Sequence, residues 1–418
     1  MGQQQTADVI IIGGGVAGLS TAMQLAGRGT RVLVLERERL GNGSTGRAAG
    51  LLGQLRGNAE HTRMLIDGVA IVKELEQLAG VEIFVQTGSL RIAETPDRAA
   101  EIVALVEMGK SIGFDIDHMQ IDEVARRMPY MRTDDLLDAC YCPTDGHLQP
   151  AELAAAYIKI GRERGVQYIT NTPVTDILVD SGRVTGVTTV GRDYYAPVVV
   201  NAGGPWSYLN AEMAETVLPT AAIGHYYLTT RPDPTHPVGR FSPAIRDREL
   251  RIYTRPESGG LIVGIYDAEP ELHNMRALPV DFDMSRMKAA RDSIQVARLI
   301  DAAQQRFPWI DERIPMTVTT GIMTFTPDAR PFCGKMPDIE GLYHCSGFSG
   351  HGIVQSPAIG LIMAELILEG RSRYDVKSIE ADRYYDMQGY VERPDIEAKC
   401  IEMAGNYYGK IERPSPPS

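Results

Sequence analysis

The chain has 418 residues, 44% hydrophobic and 23% charged, an ordinary balance for a soluble enzyme with room for two domains and a large core. Its formal net charge of −12 repels phosphate backbones, which sets nucleic acid aside as a partner. It holds no run of 18 apolar residues, so no membrane span is expected, and the opening MGQQQTADV lacks the basic region of a secretory signal.

Residues 8–12 (DVIII) form the continuous apolar run of a strand buried on both faces. A glycine turn follows at Gly13–Gly18, then helix formers from Leu19 to Gly27, then a second strand at 31–36 (RVLVLE). Residues 62–79, 97–112 and 121–128 read as helices, and 151–164 (AELAAAYIKIGRER) more plainly so. Short strands with turn signals occupy 166–200, and 225–230 and 249–266 read as strands. Helices are expected over 284–306 and over 355–369, the latter closed by Gly370. From Arg393 onward, prolines at 394, 414, 416 and 417 point to a tail wandering over the surface. Five scattered cysteines (Cys140, Cys142, Cys333, Cys345, Cys400) make no disulfide framework or zinc site, which points to a reducing compartment, the cytoplasm.

The first forty residues carry the sharpest signal. Gly13-x-Gly15-x-x-Gly18 lies between a strand and a helix and includes Val16 and Ala17. Gly13 permits the turn, Gly15 lets backbone approach a pyrophosphate, and Gly18 lets helix and strand pack closely. The helix N-terminus offers free N–H groups and a positive dipole end to phosphate. Glu36, followed by Arg37, closes the second strand and can accept hydrogen bonds from ribose hydroxyls. This predicts a dinucleotide site but leaves NAD and FAD both open.

Three later segments resolve that choice by resemblance. GNGSTGRAAGLL (41–52), NAGGPWS (201–207) and GLYHCSGFSGHGIVQSPAIGLIMAELI (341–367) resemble the D-amino-acid oxidase superfamily, and within it the branch of glycine oxidase, sarcosine oxidases and dimethylglycine dehydrogenases. The resemblance covers nearly the whole chain. It implies an α/β fold in which a Rossmann-like FAD-binding domain (1–85, 145–220 and 320–385) carries a second, antiparallel-sheet substrate domain (86–144 and 221–319), with 386–418 as a C-terminal tail. It implies that Ser44, Thr45, Gly50 and Leu51 follow the pyrophosphate toward the flavin, that Val174 meets adenine, and that Ala202, Gly203 and Trp206 close over the nucleotide. Gly347, Gly350, His351, Gly352 and Ile353 would face the flavin pyrimidine edge, where N–H donors and a helix dipole stabilise negative charge. Relatives that attach FAD covalently use a histidine or a cysteine where this chain has Arg47 and Gly321, so FAD is expected to be non-covalent.

In this branch a hydride equivalent leaves the carbon beside an amine nitrogen, and the resulting imine hydrolyses. The resemblance implies His225, in AIGHYYLTT, and Tyr253, in RIYTRPESGG, as a pair relaying the ammonium proton. Arg255, Arg47 and Arg56 are the candidate cations for a substrate carboxylate. Ile262 replaces the oxygen-activating lysine of sarcosine oxidases, which tilts expectation toward a dehydrogenase with a separate electron acceptor. The stretch 404–414 resembles the linker to a folate-binding domain in long dimethylglycine dehydrogenases; the sequence stops soon after, so the expectation is either that formaldehyde is released or that a separate subunit does the next step. The expected partners are a small amino acid or amine and an electron-acceptor protein. The rival readings are a flavin subunit of a larger dehydrogenase complex and a non-catalytic flavoprotein assembly factor.

Overall fold

The computed structural model describes residues 6–279, 282–288, 293–311 and 313–411. A six-stranded sheet runs in the order Phe332–Lys335, Leu342–Ser346, Val198–Asn201, Val9–Ile12, Val32–Leu35, Gln167–Ile169. Its neighbours are parallel except for the outer pair at Phe332–Lys335. Because side chains alternate along a strand, Val9 and Ile11 enter one core and Ile10 and Ile12 another. The first core lies under the helices Val16–Ala26, Ala59–Ala79, Pro150–Glu163 and Gly352–Glu369. The second is covered by a small antiparallel sheet of Val174–Asp180, Arg183–Thr189 and Asp193–Tyr195. This is the doubly covered sheet that the apolar strand predicted.

The larger sheet has nine strands. Ala221–Thr230 pairs along its whole length with Met316–Phe325, and also with Gly260–Ile265. The ladder continues through Ile252–Glu257, Ala244–Asp247, Ser89–Ala93 and Asp138–Cys142. The pairing is antiparallel except between Ala244–Asp247 and Ser89–Ala93, which is parallel. The helix Ile294–Arg306 packs on one face, with Leu299, Ala303 and Phe307 against Leu228, Leu261 and Val263.

Several expectations are corrected. Residues 249–266 form two strands, Ile252–Glu257 and Gly260–Ile265, with a reversal between them. The expected helix over 284–306 begins at Ile294, where the Ser293 side chain caps it; Met284–Arg286 is a short 3-10 turn, and residues 289–292 lie outside the described residues. The described part of the expected tail, 393–411, does not wander, and Pro414, Pro416 and Pro417 lie outside the described residues. Arg393–Asn406 is a helix with Pro394 in its first turn, where proline lacks no hydrogen bond the helix needs. Gly352–Glu369 is long and apolar enough to cross a membrane, yet 67% of it is buried inside the fold. It packs against Val16–Ala26 and Ala59–Ala79, and its buried Glu365 is bonded to Ser372 and Arg373.

One ionic cluster pins the large sheet to its helix. The fully buried Arg306 donates to Asp247 (2.8 Å), to Asp135 (2.8 Å) and to the Arg132 carbonyl (2.7 Å), and it also pairs with Glu94. Replacing Arg306 with leucine leaves Asp247 buried without its partner, so stability to urea should fall by about 3–5 kcal/mol. An unchanged unfolding midpoint would show that the cluster holds nothing in place.

Candidate active site

A cavity of about 520 Å³ runs between the two sheets, a size suited to a cofactor or small-molecule site. At one end Glu36 anchors the glycine turn: its carboxylate accepts from the Gly14 N–H (2.7 Å) and from the Glu38 N–H (2.8 Å). Burial pushes this carboxyl above the ordinary carboxylate range. Arg37 lies over the Trp206 ring at 4.2 Å, with Val174 on the same cavity wall. Gly18 does not line the cavity; a Cβ there would sit 2.1 Å from the Gly13 carbonyl oxygen, so its part is the close packing of helix on strand.

Midway, Gly13, Gly15, Val16 and Ala17 present the N-terminus of Val16–Ala26 to the cavity, beside Ala202 and Gly203. Thr45 Oγ1 accepts from the Val16 N–H (3.1 Å), and Ser44 Oγ donates to the Ile322 carbonyl (2.5 Å). Arg47 donates to the Thr320 carbonyl (3.1 Å) and packs against Gly321. Gly50 and Leu51 continue this wall. Opposite, Gly350, His351, Gly352 and Ile353 present the N-terminus of a second helix, Gly352–Glu369. Gly347 lies behind this loop, outside the lining. A Rossmann turn, an acid closing the second strand and two helix N-termini opening into one cavity fit the phosphates and the anionic edge of FAD.

At the far end His225 and Tyr253 meet, Nε2 to Oη at 2.7 Å. The sheet puts them there. Tyr253 pairs with Gly264 on the next strand, where a Cβ would strike the tyrosine ring at 2.1 Å, so only glycine leaves room for that ring. Tyr266 packs against His225 with ring centroids 5.1 Å apart. Burial lowers the His225 imidazole to about 4, so the ring is neutral at working pH.

The arginines divide. Arg47 lines the cavity. Arg255 and Arg56, expected to hold a carboxylate, lie outside the lining. Arg255 is buried and spends its guanidinium on the Ala49 and Pro256 carbonyls and on Glu257. Arg56 donates to the Gly53 and Leu55 carbonyls. Sequence reasoning missed Arg246. It pairs across the sheet with Tyr253 and lines the cavity, and its side chain makes no hydrogen bond or ion pair with any other of the described residues. The signal was the hairpin AIRDRELRIYTRP, whose register sets Arg246 opposite Tyr253. Also missed was Tyr408, which lines the same end from beyond the C-terminal helix.

The family model for DAO, FAD dependent oxidoreductase, matches residues 8–366. The chain belongs to this family. Sarcosine dehydrogenase of Homo sapiens is 32% identical over 392 residues, covering 91% of this chain and 42% of that protein. Glycine oxidase of Geobacillus kaustophilus is 28% identical, covering 91% of this chain and 98% of its own. The L-proline dehydrogenase structure from P. horikoshii superposes with a TM-score of 0.80 at 23% identity, covering 91% and 98% of the two chains, and it shows the fold. The chain spans less than half the length of the sarcosine dehydrogenase it matches. FAD is the family's cofactor, and the strand, turn, helix and acid read from the sequence are its Rossmann unit.

Four buried histidines are held neutral by burial: His225 and His147 near 4, His344 near 3, and His351 well below its ordinary value. The unfolded chain takes up protons near pH 6.5 where the folded chain does not, so stability is lost as pH falls from about 6.5 to 4. Each histidine contributes a slope on the order of 1 kcal/mol per pH unit within that window. Urea midpoints measured across that range should fall steeply; a flat profile would mean these rings are protonated in the fold.

Proposed function

We propose that this protein oxidises the C–N bond of a small secondary or tertiary amino acid, an N-methyl or cyclic imino acid or glycine, with non-covalent FAD as the electron acceptor. The observation that carries the reading is the row of Arg246, Tyr253 and His225 along one sheet face at the end of the cavity, away from Glu36. Bound in the cavity, FAD supplies a two-electron acceptor for the hydride equivalent leaving the carbon beside nitrogen. The protein's own residues do the rest. Arg246 takes the substrate carboxylate, since its charge has no carboxylate partner among the described residues. The closed aromatic surroundings disfavour an ammonium ion and so favour the amine that can give up electrons. The imidazole of His225, kept neutral by burial and hydrogen-bonded to Tyr253, accepts the departing ammonium proton. The imine then takes up water and its C=N bond splits into a carbonyl and an amine, on two molecules for an open-chain substrate and on one for a cyclic imino acid.

Non-covalent attachment is supported by Arg47 and Gly321, which occupy the cavity wall with neither a thiol nor an imidazole. The reading as a subunit of a larger assembly draws on the length of the relatives and on a relative, 28% identical, named as a regulatory subunit of pyruvate dehydrogenase phosphatase.

Anaerobic mixing of the yellow protein with a panel of amines should bleach the flavin band near roughly 450 nm for one class of amino acid. If dithionite bleaches the flavin and no amine does, the enzyme reading fails. His225→Ala should slow that bleaching about 10²-fold. Its rate should rise with pH along the titration of the substrate amine, with no step near 6.5, because His225 is already neutral there. Arg246→Gln should raise KM roughly 30-fold while moving kcat far less. A variant with unaltered KM would remove Arg246 from the carboxylate site.

A further inference from the structure

The segment that follows the C-terminal helix is fastened more firmly than a surface tail requires. Arg98 donates to the carbonyls of Tyr408 (2.6 Å), Gly409 (3.1 Å) and Lys410 (3.0 Å). Arg248 donates to the carbonyls of Tyr407 (3.1 Å) and Lys410 (2.6 Å). Both guanidinium groups are held by one buried carboxylate, Glu101, at 2.7 and 2.6 Å. Residues 407–410 lie just past the helix Arg393–Asn406, where carbonyls have no helical donors and buried ones need partners from elsewhere. Burying two arginines and a glutamate is costly unless every group is satisfied, and here the backbone of 407–410 does much of the satisfying.

What this clamp holds in place is Tyr408. Its side chain is 3% exposed, its ring centroid lies 4.5 Å from that of Tyr266, and Arg248 sits over the ring at 5.7 Å. Tyr408 lines the cavity at the end that carries Arg246, Tyr253 and His225. An aromatic side chain at that place limits how large a group can stand beside an anchored carboxylate.

We propose that Tyr408 is a specificity-determining residue that sets the size limit of the substrate, and that Arg98, Glu101 and Arg248 are positioning residues that hold it in the wall. The identity of the substrate as an amino carboxylate rests on the function proposed above; the limit on size follows from the wall itself. Acetate and 3,3-dimethylbutanoate probe it without turnover. They share a carboxylate and differ in the bulk beside it, and binding can be read from the perturbed flavin absorbance of the FAD-loaded protein.

The parent should favour acetate. Tyr408→Ala should lower the ratio of dissociation constants, dimethylbutanoate over acetate, by about tenfold, because overpacking is relieved. Tyr408→Phe, which keeps the ring, should retain the parent ratio. Arg248→Ala should move the ratio in the same direction and speed hydrogen exchange of the amides of 405–410, a change visible with or without FAD. If Arg248→Ala does not fold, the two Tyr408 variants decide the matter. An unchanged ratio in Tyr408→Ala overturns the proposal, as does failure of both acids to bind any of the proteins. Amine bleaching with an unchanged ratio would sink this proposal alone. A shifted ratio in a protein that no amine reduces would sink only the enzymatic reading.

Discussion

The buried pair of Arg306 and Asp247 fixes the geometry on which the substrate end of the cavity depends. Asp247 closes the strand Ala244–Asp247, and its carboxylate points into the core toward the end of the helix Ile294–Arg306. Side chains alternate along a strand, so its neighbour Arg246 is committed to the other face, while Arg248 opens the turn that follows. Arg246 therefore meets the cavity, and Arg248 meets the backbone of residues 407–410. Arg246, Asp247 and Arg248 are consecutive in the sequence. In the fold each has a separate task, and a register slip by one residue would exchange their faces.

This explains what could and could not be read from the chain. The strand, glycine turn, helix and closing acid of the first forty residues are local: spacing alone brings Gly13, Gly15 and Glu36 together. The pairing of His225 with Tyr253 crosses strands, and only a resemblance to known proteins pointed to it. Arg255 and Arg56 were plausible because they lie near motif residues, yet nearness along the chain says nothing about where a guanidinium points. Arg255 is turned to the Ala49 carbonyl and Glu257 instead. The tail was misjudged for a related reason. Proline marks a break inside a helix but a beginning at its first turn, and Pro394 stands at the beginning.

The electrostatic character of the cavity is consistent along its length. The end near Glu36 and the two helix N-termini offer N–H donors to an anionic cofactor. The other end offers one arginine and several rings, with imidazoles kept neutral by burial. Under the proposed function, a zwitterionic amino acid there would gain a charged partner for its carboxylate and only neutral groups for its ammonium. That asymmetry destabilises the protonated amine, the form that cannot be oxidised.

The aromatic wall contributed by Tyr408 has a further consequence for assembly. It lies nearly four hundred residues beyond the glycine turn that begins the cavity. Contacts so distant in sequence form late, because a long loop must close before they reward it. A chain emerging from the ribosome can shape its nucleotide half early, while the opposite rim stays open until residue 408 has been made and clamped. The cavity wall is then completed last, as a finishing step in biogenesis.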